Sequence, residues 1–196
     1  LKLRAEPFTL EWRPDNKESE RNLRNNLNLE WCDAVLFNVN AIKKGTGKEY
    51  DAILLSENKE AILFFEYKDS PTTYRNYKGK KAQQKNSYAK NIAKAFGFRW
   101  YNFIVVVNKK GQSNSKKGDS RVILMDELKN YVLHKEDEKV VFSNEEYEIE
   151  LLQTNDVLNS IDKVINRYKN EKGSVESNEV FEDLVKVKRQ IEQVNK

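Results

Sequence analysis

Asp51, Glu66 and Lys68 are the residues whose types and spacing point to chemistry. They lie in two strongly apolar runs, residues 50–55 and 61–68, on either side of an all-polar stretch, residues 56–60. That pattern predicts a β-hairpin turning near Asn58 and Lys59. The register of such a hairpin sets Asp51 directly opposite Glu66, with Cβ atoms about 5 Å apart. Lys68 follows Glu66 by two residues, so it points to the same face. Ile53, Leu55, Ile62 and Phe64 share that face, and Leu54, Leu63 and Phe65 take the other. With both faces apolar, the hairpin belongs at the centre of a sheet covered by helices. Charges on such strands are expensive to bury unless something pairs them.

A divalent metal is one such partner. Two facing carboxylates repel and raise each other's pKa unless a cation sits between them. Mg²⁺ accepts one or two carboxylates together with backbone carbonyls and water, and leaves positions for substrate phosphate; Mn²⁺ is expected to substitute for it. Asp51 and Glu66 are then metal ligands, with the backbone carbonyl of Tyr67 as a third. Lys68 would orient the attacking water or stabilise charge developing at phosphorus. The competing reading is a structural ion cluster in which Lys68 pairs with both carboxylates and nothing reacts.

The elements around these residues follow from periodicity and breakers. Phe8, Leu10 and Trp12 alternate as in a short edge strand. A helix over 16–27, capped by Asp15 or Asn16, carries Leu23 and Leu27 with Glu20 on the same face. Residues 34–41 read as a strand, and 43–49 as a loop holding Gly45 and Gly47. After the hairpin come a loop and a long helix within 72–97, ended by Gly97. A buried strand over 103–107, an unpatterned loop over 109–120 and a short strand over 121–125 follow. Residues 126–133 suggest a capped helix, and the acidic stretch 135–150 one strand. Two amphipathic helices close the chain. Leu158, Ile161, Ile165 and Tyr168 mark one; Val180, Leu184, Val187, Ile191 and Val194 mark the other. The expected fold is α/β, with a mixed central sheet flanked by helices over residues 1–150. A helical extension over 151–196 would act as a cap or a dimerisation element.

The pattern Asp51-x(14)-Glu66-x-Lys68 resembles the PD-(D/E)XK nucleases, which share the restriction-endonuclease-like fold. The order helix, three strands, helix, strand over about residues 16–107 is similar to the αβββαβ core of that superfamily. Tyr50 stands where a Pro often precedes the first Asp. Gln84 and Tyr88 resemble the Gln-x-x-x-Tyr element of RecB-type nucleases, in which the Gln approaches the metal and the Tyr the nucleic acid; Gln83 is a rival for the first role. Glu20, with Glu18 as rival, is similar to the acidic residue that members often carry on the first helix. The stretch from Glu20 through Asn38, Asp51 and Glu66-Tyr67-Lys68 also looks like nuclease-related domains of the NERD type. The resemblance implies a Mg²⁺-dependent nuclease, most simply on DNA, with Asp51, Glu66 and Lys68 catalytic and Glu20 and Gln84 auxiliary. A type II restriction enzyme, a nuclease subunit of a larger defence or repair complex, and an inactive nuclease-like DNA-binding module are the alternatives.

Charge supports a nucleic-acid partner. The 196 residues carry a net charge of only +4. Residues 68–121, however, hold 14 Lys and Arg against 2 Asp and Glu, and the rest of the chain holds 21 against 29. A segregated basic stretch is the footprint of a phosphate partner or else a solvated helix and loop. Lys78, Lys81 and Lys85 accompany Gln84, and Lys109, Lys110, Lys116 and Lys117 crowd the loop after the next strand. Tyr74, Tyr77 and Trp100 could stack on bases, although packing suits each as well. A single Cys, Cys32, and a single His, His134, exclude a disulfide framework, a Cys-rich metal site and a His-rich one. The chain has no Gly-rich nucleotide loop, no long apolar run and no basic-then-apolar leader. A cytoplasmic protein is therefore expected, acting alone, as a homodimer or within a larger complex.

Overall fold

A computed structural model describes residues 2–12, 18–69, 80–108, 122–170 and 175–194, with backbone alone at 19–20, 80–82, 166, 168–170 and 175–181. Contacts divide the chain into two compact units, Leu1–Leu152 and Gln153–Lys196.

The first unit is built on a mixed sheet. Strands β1 (Lys2–Ala5) and β2 (Phe8–Trp12) form an antiparallel hairpin, so the edge strand expected from Phe8, Leu10 and Trp12 has a partner on each side. Helix α1 (Glu18–Asn26) precedes β3 (Ala34–Lys43), which pairs antiparallel with β4 (Thr46–Ser56). The loop expected at 43–49 is a two-residue turn instead. Lys44 and Gly45 have φ of 50° and 77°, and this left-handed pair closes a tight hairpin that lets β4 begin at Thr46.

β4 then pairs antiparallel with β5 (Ala61–Lys68) through Ala52↔Phe65, Ile53↔Phe64 and Leu54↔Leu63, the register read from the sequence. The turn is wider than two residues, because Ser56↔Ala61 is the last pair and Glu60, not Asn58, takes the left-handed conformation. Helix α2 (Lys80–Ala95) crosses from β5 to β6 (Trp100–Val107), which runs parallel to β5. Gly97, at φ 79°, stops α2: Phe98 N–H donates back to Ala93 O at 2.9 Å, satisfying a terminal carbonyl. β7 (Val122–Leu124) pairs parallel with β6, and β11 (Leu152–Gln153) completes the eight strands.

Two apolar layers cover this sheet. On one side Leu23 and Leu27 of α1 pack with Leu54, Leu63 and Phe65. On the other, Ala89, Ile92 and Ala93 of α2 pack with Ile53, Ile62 and Phe64. Burying one such large side chain contributes about 1.5–3 kcal/mol, so the hairpin can carry buried charge at its end without losing its place.

The first of these layers also takes in a second sheet that the sequence reading missed. Residues 126–133 are not a helix. A 3₁₀ turn (Leu128–Asn130) leads into β8 (Val132–Glu136), which pairs with β9 (Lys139–Ser143), and β10 (Glu148–Glu150) adds a third antiparallel strand. Tyr131 and Leu133 alternate with Val132, and Val140 and Phe142 answer them in the core. That period of two prevailed over the helix-like spacing of Leu128 and Tyr131.

In the second unit, helix α3 (Asp156–Asn170) is capped by Asn155, whose Oδ1 accepts the Val157 N–H at 3.0 Å. Helix α4 (Val175–Val194) is tied to α3 by Lys188, whose Nζ lies 2.6 Å from Asp162. Gln153 donates to the other Asp162 oxygen at 2.6 Å. Among the described residues no helix is long and apolar enough to cross a membrane.

Candidate active site

The two carboxylates meet where the regular sheet breaks. In β3, Leu36 belongs to the layer under α2 and Phe37 to the opposite one; two residues on, where Phe37's side should recur, Val39 is back under α2. β4 does the same, with Ala52 on the α1 side and Tyr50 under α2. Both strands change sides in step at Asn38 and Asp51, so the pairs Phe37↔Ala52 and Val39↔Tyr50 keep one register. Asn38 makes this possible by adopting φ 51°, a conformation that Asn tolerates better than most residues.

The β4–β5 ladder stops at Ala52↔Phe65, one pair short of Asp51 and Glu66. There the Tyr67 N–H donates to Asp51 Oδ2 at 2.6 Å, so the carboxylate itself bridges the strands. Burial pushes the Asp51 carboxyl up to about 6, and the Glu66 charge adds to the rise. The Tyr67 N–H, Lys85 and Lys68, in that order, pull it back.

Glu66 is only 7 % exposed, and each of its oxygens is held by an ammonium group. Lys68 Nζ lies 2.8 Å from Oε1 and Lys85 Nζ 2.7 Å from Oε2. Lys85, expected on the phosphate-binding face of α2, is turned inward instead. It extends the buried stripe of Ala89, Ile92 and Ala93 by one turn, and its Nζ stands 5.4 Å from the centre of the Tyr50 ring. The Tyr50 hydroxyl donates to the Lys85 carbonyl at 2.8 Å, fastening the helix to β4. Burial, then Tyr88 and Glu66, push the Tyr50 hydroxyl's pKa well above its ordinary value. The signal for Lys85 was in the sequence: stepping back four residues from the apolar Ala89 reaches Lys85, not Gln84.

The other expected site residues are placed as follows. Gln84 and Gln83 are exposed. The Tyr88 hydroxyl donates to Thr46 O at 3.2 Å, and its ring meets Phe8 edge-on at 5.2 Å, so it packs against the sheet. Trp100 is buried in the core and is not a stacking surface. Glu20 lies in α1, its side chain outside the described set, and Glu18 is exposed at the helix start. The side chain of Lys81, and Lys78, Lys109, Lys110, Lys116 and Lys117 entirely, lie outside the described residues. Tyr74 and Tyr77 do as well. His134 is exposed on β8, and Cys32 is half-buried with its thiol on Leu29 O.

The donor set suits a hard cation. Asp51 and Glu66 offer carboxylate oxygens on adjacent strands, the ligand type Mg²⁺ and Mn²⁺ take alongside water. Among the described residues no group of three or more His, Cys, Asp or Glu side chains could hold a metal. Among the described side chains, these two would hold an ion, together with oxygens from backbone, solvent or substrate.

No family model matches the chain, and no curated protein matches it. Among the solved structures that match is the crystal structure of protein VC1899 from Vibrio cholerae, at 13% identity and a TM-score of 0.32. The match covers 57% of this chain and 28% of that one.

Proposed function

We propose that the chain is a Mg²⁺-dependent nuclease of the PD-(D/E)XK type that hydrolyses phosphodiester bonds, most simply in DNA. The observation that carries this reading is the convergence of Asp51, Glu66 and Lys68 at the end of a central hairpin, where the Tyr67 N–H donates to Asp51 and Lys68 Nζ lies 2.8 Å from the buried Glu66. The mixed α/β sheet with α1 and α2 against it supports this reading at the level of fold class. A bound Mg²⁺ would supply Lewis acidity at phosphorus and lower the pKa of water.

The chain's own groups have definite tasks in that reaction. Asp51 and Glu66 supply negative charge for the ion, and the Tyr67 N–H keeps Asp51 from rotating away. The Lys68 ammonium, held by Glu66, stabilises negative charge as water oxygen bonds to phosphorus and releases a proton to solvent. The bond from phosphorus to the leaving oxygen then breaks, and that oxygen takes a proton from solvent. Glu20 and Gln84 remain auxiliary candidates. The enzyme would work alone, as a homodimer or as a subunit of a larger complex.

Asp51→Ala is expected to abolish cleavage of a DNA substrate under Mg²⁺ or Mn²⁺ and to weaken Mn²⁺ binding, while circular dichroism stays that of the folded chain. Normal cleavage by that variant would remove the assignment.

One observation favours a second reading. Both Glu66 oxygens are already paired with lysines, as in a structural ion cluster in a nuclease-like DNA-binding module. Such a module would bind DNA and leave it intact at every metal concentration.

A further inference from the structure

We propose that Lys85 is a resident counter-cation of this site: it occupies the Glu66 oxygen that a divalent ion needs, and ion binding displaces it. The inference rests on the metal-site reading above and assigns a positioning role to a residue on α2.

Geometry sets Lys85 apart from Lys68. Both ammonium groups contact Glu66, one on each oxygen, at 2.7 and 2.8 Å. Lys68 sits on the same strand as Glu66, two residues on, and belongs to the edge of the site. Lys85 reaches in from the helix that covers the sheet and places its Nζ 2.7 Å from Glu66 Oε2. Its ammonium lies on the Glu66 oxygen opposite the one that Lys68 holds. The anchoring of its backbone by the Tyr50 hydroxyl, and of its helix by Ala89 and Ile92, makes the approach a built feature.

Charge follows the same logic. Asp51 and Glu66 carry two negative charges, and Lys68 and Lys85 carry two positive ones. With both lysines on Glu66 the carboxylates have less negative charge to offer an ion. A four-carbon stem lets Lys85 swing its point charge aside. An incoming phosphodiester would be the natural acceptor for the displaced ammonium.

The test is Mn²⁺ titration of the full chain by calorimetry, with wild type, Lys85→Met, Lys85→Gln, Lys85→Arg and Lys68→Met compared. Removing the competing charge should tighten binding about tenfold in Lys85→Met. Lys85→Gln should bind tighter too, and it keeps the test open if the Met variant fails to fold. Lys85→Arg, which restores the charge, should return to the wild-type value, and Lys68→Met should gain less than Lys85→Met. Unchanged or weaker binding in both neutral variants, beside measurable binding by wild type, overturns the role of Lys85 alone. Absence of binding in all five proteins at millimolar Mn²⁺ removes the metal site beneath it as well.

Discussion

At the scale of single residues, Asp51 holds its place at the expense of stability. Its carboxyl is raised to about 6 in the folded chain, chiefly by burial, against about 3.9 in an unfolded one. Between those values the folded chain binds the extra proton, so stability falls as pH rises from about 4 to 6, and the penalty is complete above that window. A rise of about two units sets its upper limit near 3 kcal/mol. Asp51→Asn removes the charge and keeps an oxygen for the Tyr67 N–H. The variant should be more stable than wild type by about 1–2 kcal/mol at pH 7.5 in EDTA, with the difference gone near pH 3.5. Urea unfolding at both pH values measures this, and equal stability at pH 7.5 would contradict a buried, charged Asp51. Of the site residues, Asp51, Glu66 and Lys68 were legible as neighbours because the centred turn sets the β4–β5 register, although the break in alternation at Asp51 was not. Lys85 was not, because its charge suggested solvent while its spacing from Ala89 and Ile92 placed it inside.

At the scale of elements, the site depends on the change of sides shared by β3 and β4. Asn38 must hold a left-handed backbone conformation there, which a β-branched residue resists at about 1–3 kcal/mol. Asn38→Val should therefore lose about 2 kcal/mol in urea unfolding and bind Mn²⁺ more weakly, because Asp51 lies opposite on β4. Asn38→Gly should stay within about 1 kcal/mol of wild type and keep its metal affinity, since Gly adopts the same conformation freely. Equal stability of the two variants would mean that the left-handed residue does not hold the break. The change of sides was hidden in the sequence. Val35, Phe37 and Val39 read as one continuous face, although Phe37 and Val39 end in opposite layers. The turn at Lys44 and Gly45 was hidden in a similar way, because Lys is an uncommon first residue for a left-handed pair. By contrast, α2 and its stop at Gly97, the β4–β5 hairpin and the two closing helices were readable, since apolar spacing and a single breaker decide them.

At the scale of the whole molecule, charge segregation bears on substrate binding. β5 ends at Lys68 and β6 at Val107, and these two residues are register partners. The two strands that precede the basic stretches therefore end side by side, two residues past Glu66 on β5. The count of basic residues is thereby sharpened: Lys68 and Lys85 belong to the site itself, so they are poor probes of general phosphate attraction. Lys109, Lys110, Lys116 and Lys117 are better ones, because they follow β6 in sequence and the proposed chemistry gives them no role. Changing all four to Gln should weaken DNA binding and flatten its dependence on salt, by about 0.9 in the slope of log K against log salt for each phosphate no longer neutralised. Mn²⁺ affinity and thermal stability should stay at wild-type values, which separates this effect from damage to the site. Fluorescence anisotropy of a labelled duplex, titrated from about 50 to 200 mM KCl, reads both affinity and slope. A slope unchanged by the four substitutions would make the loop a solvated run of lysines and move the phosphate-binding surface back to α2.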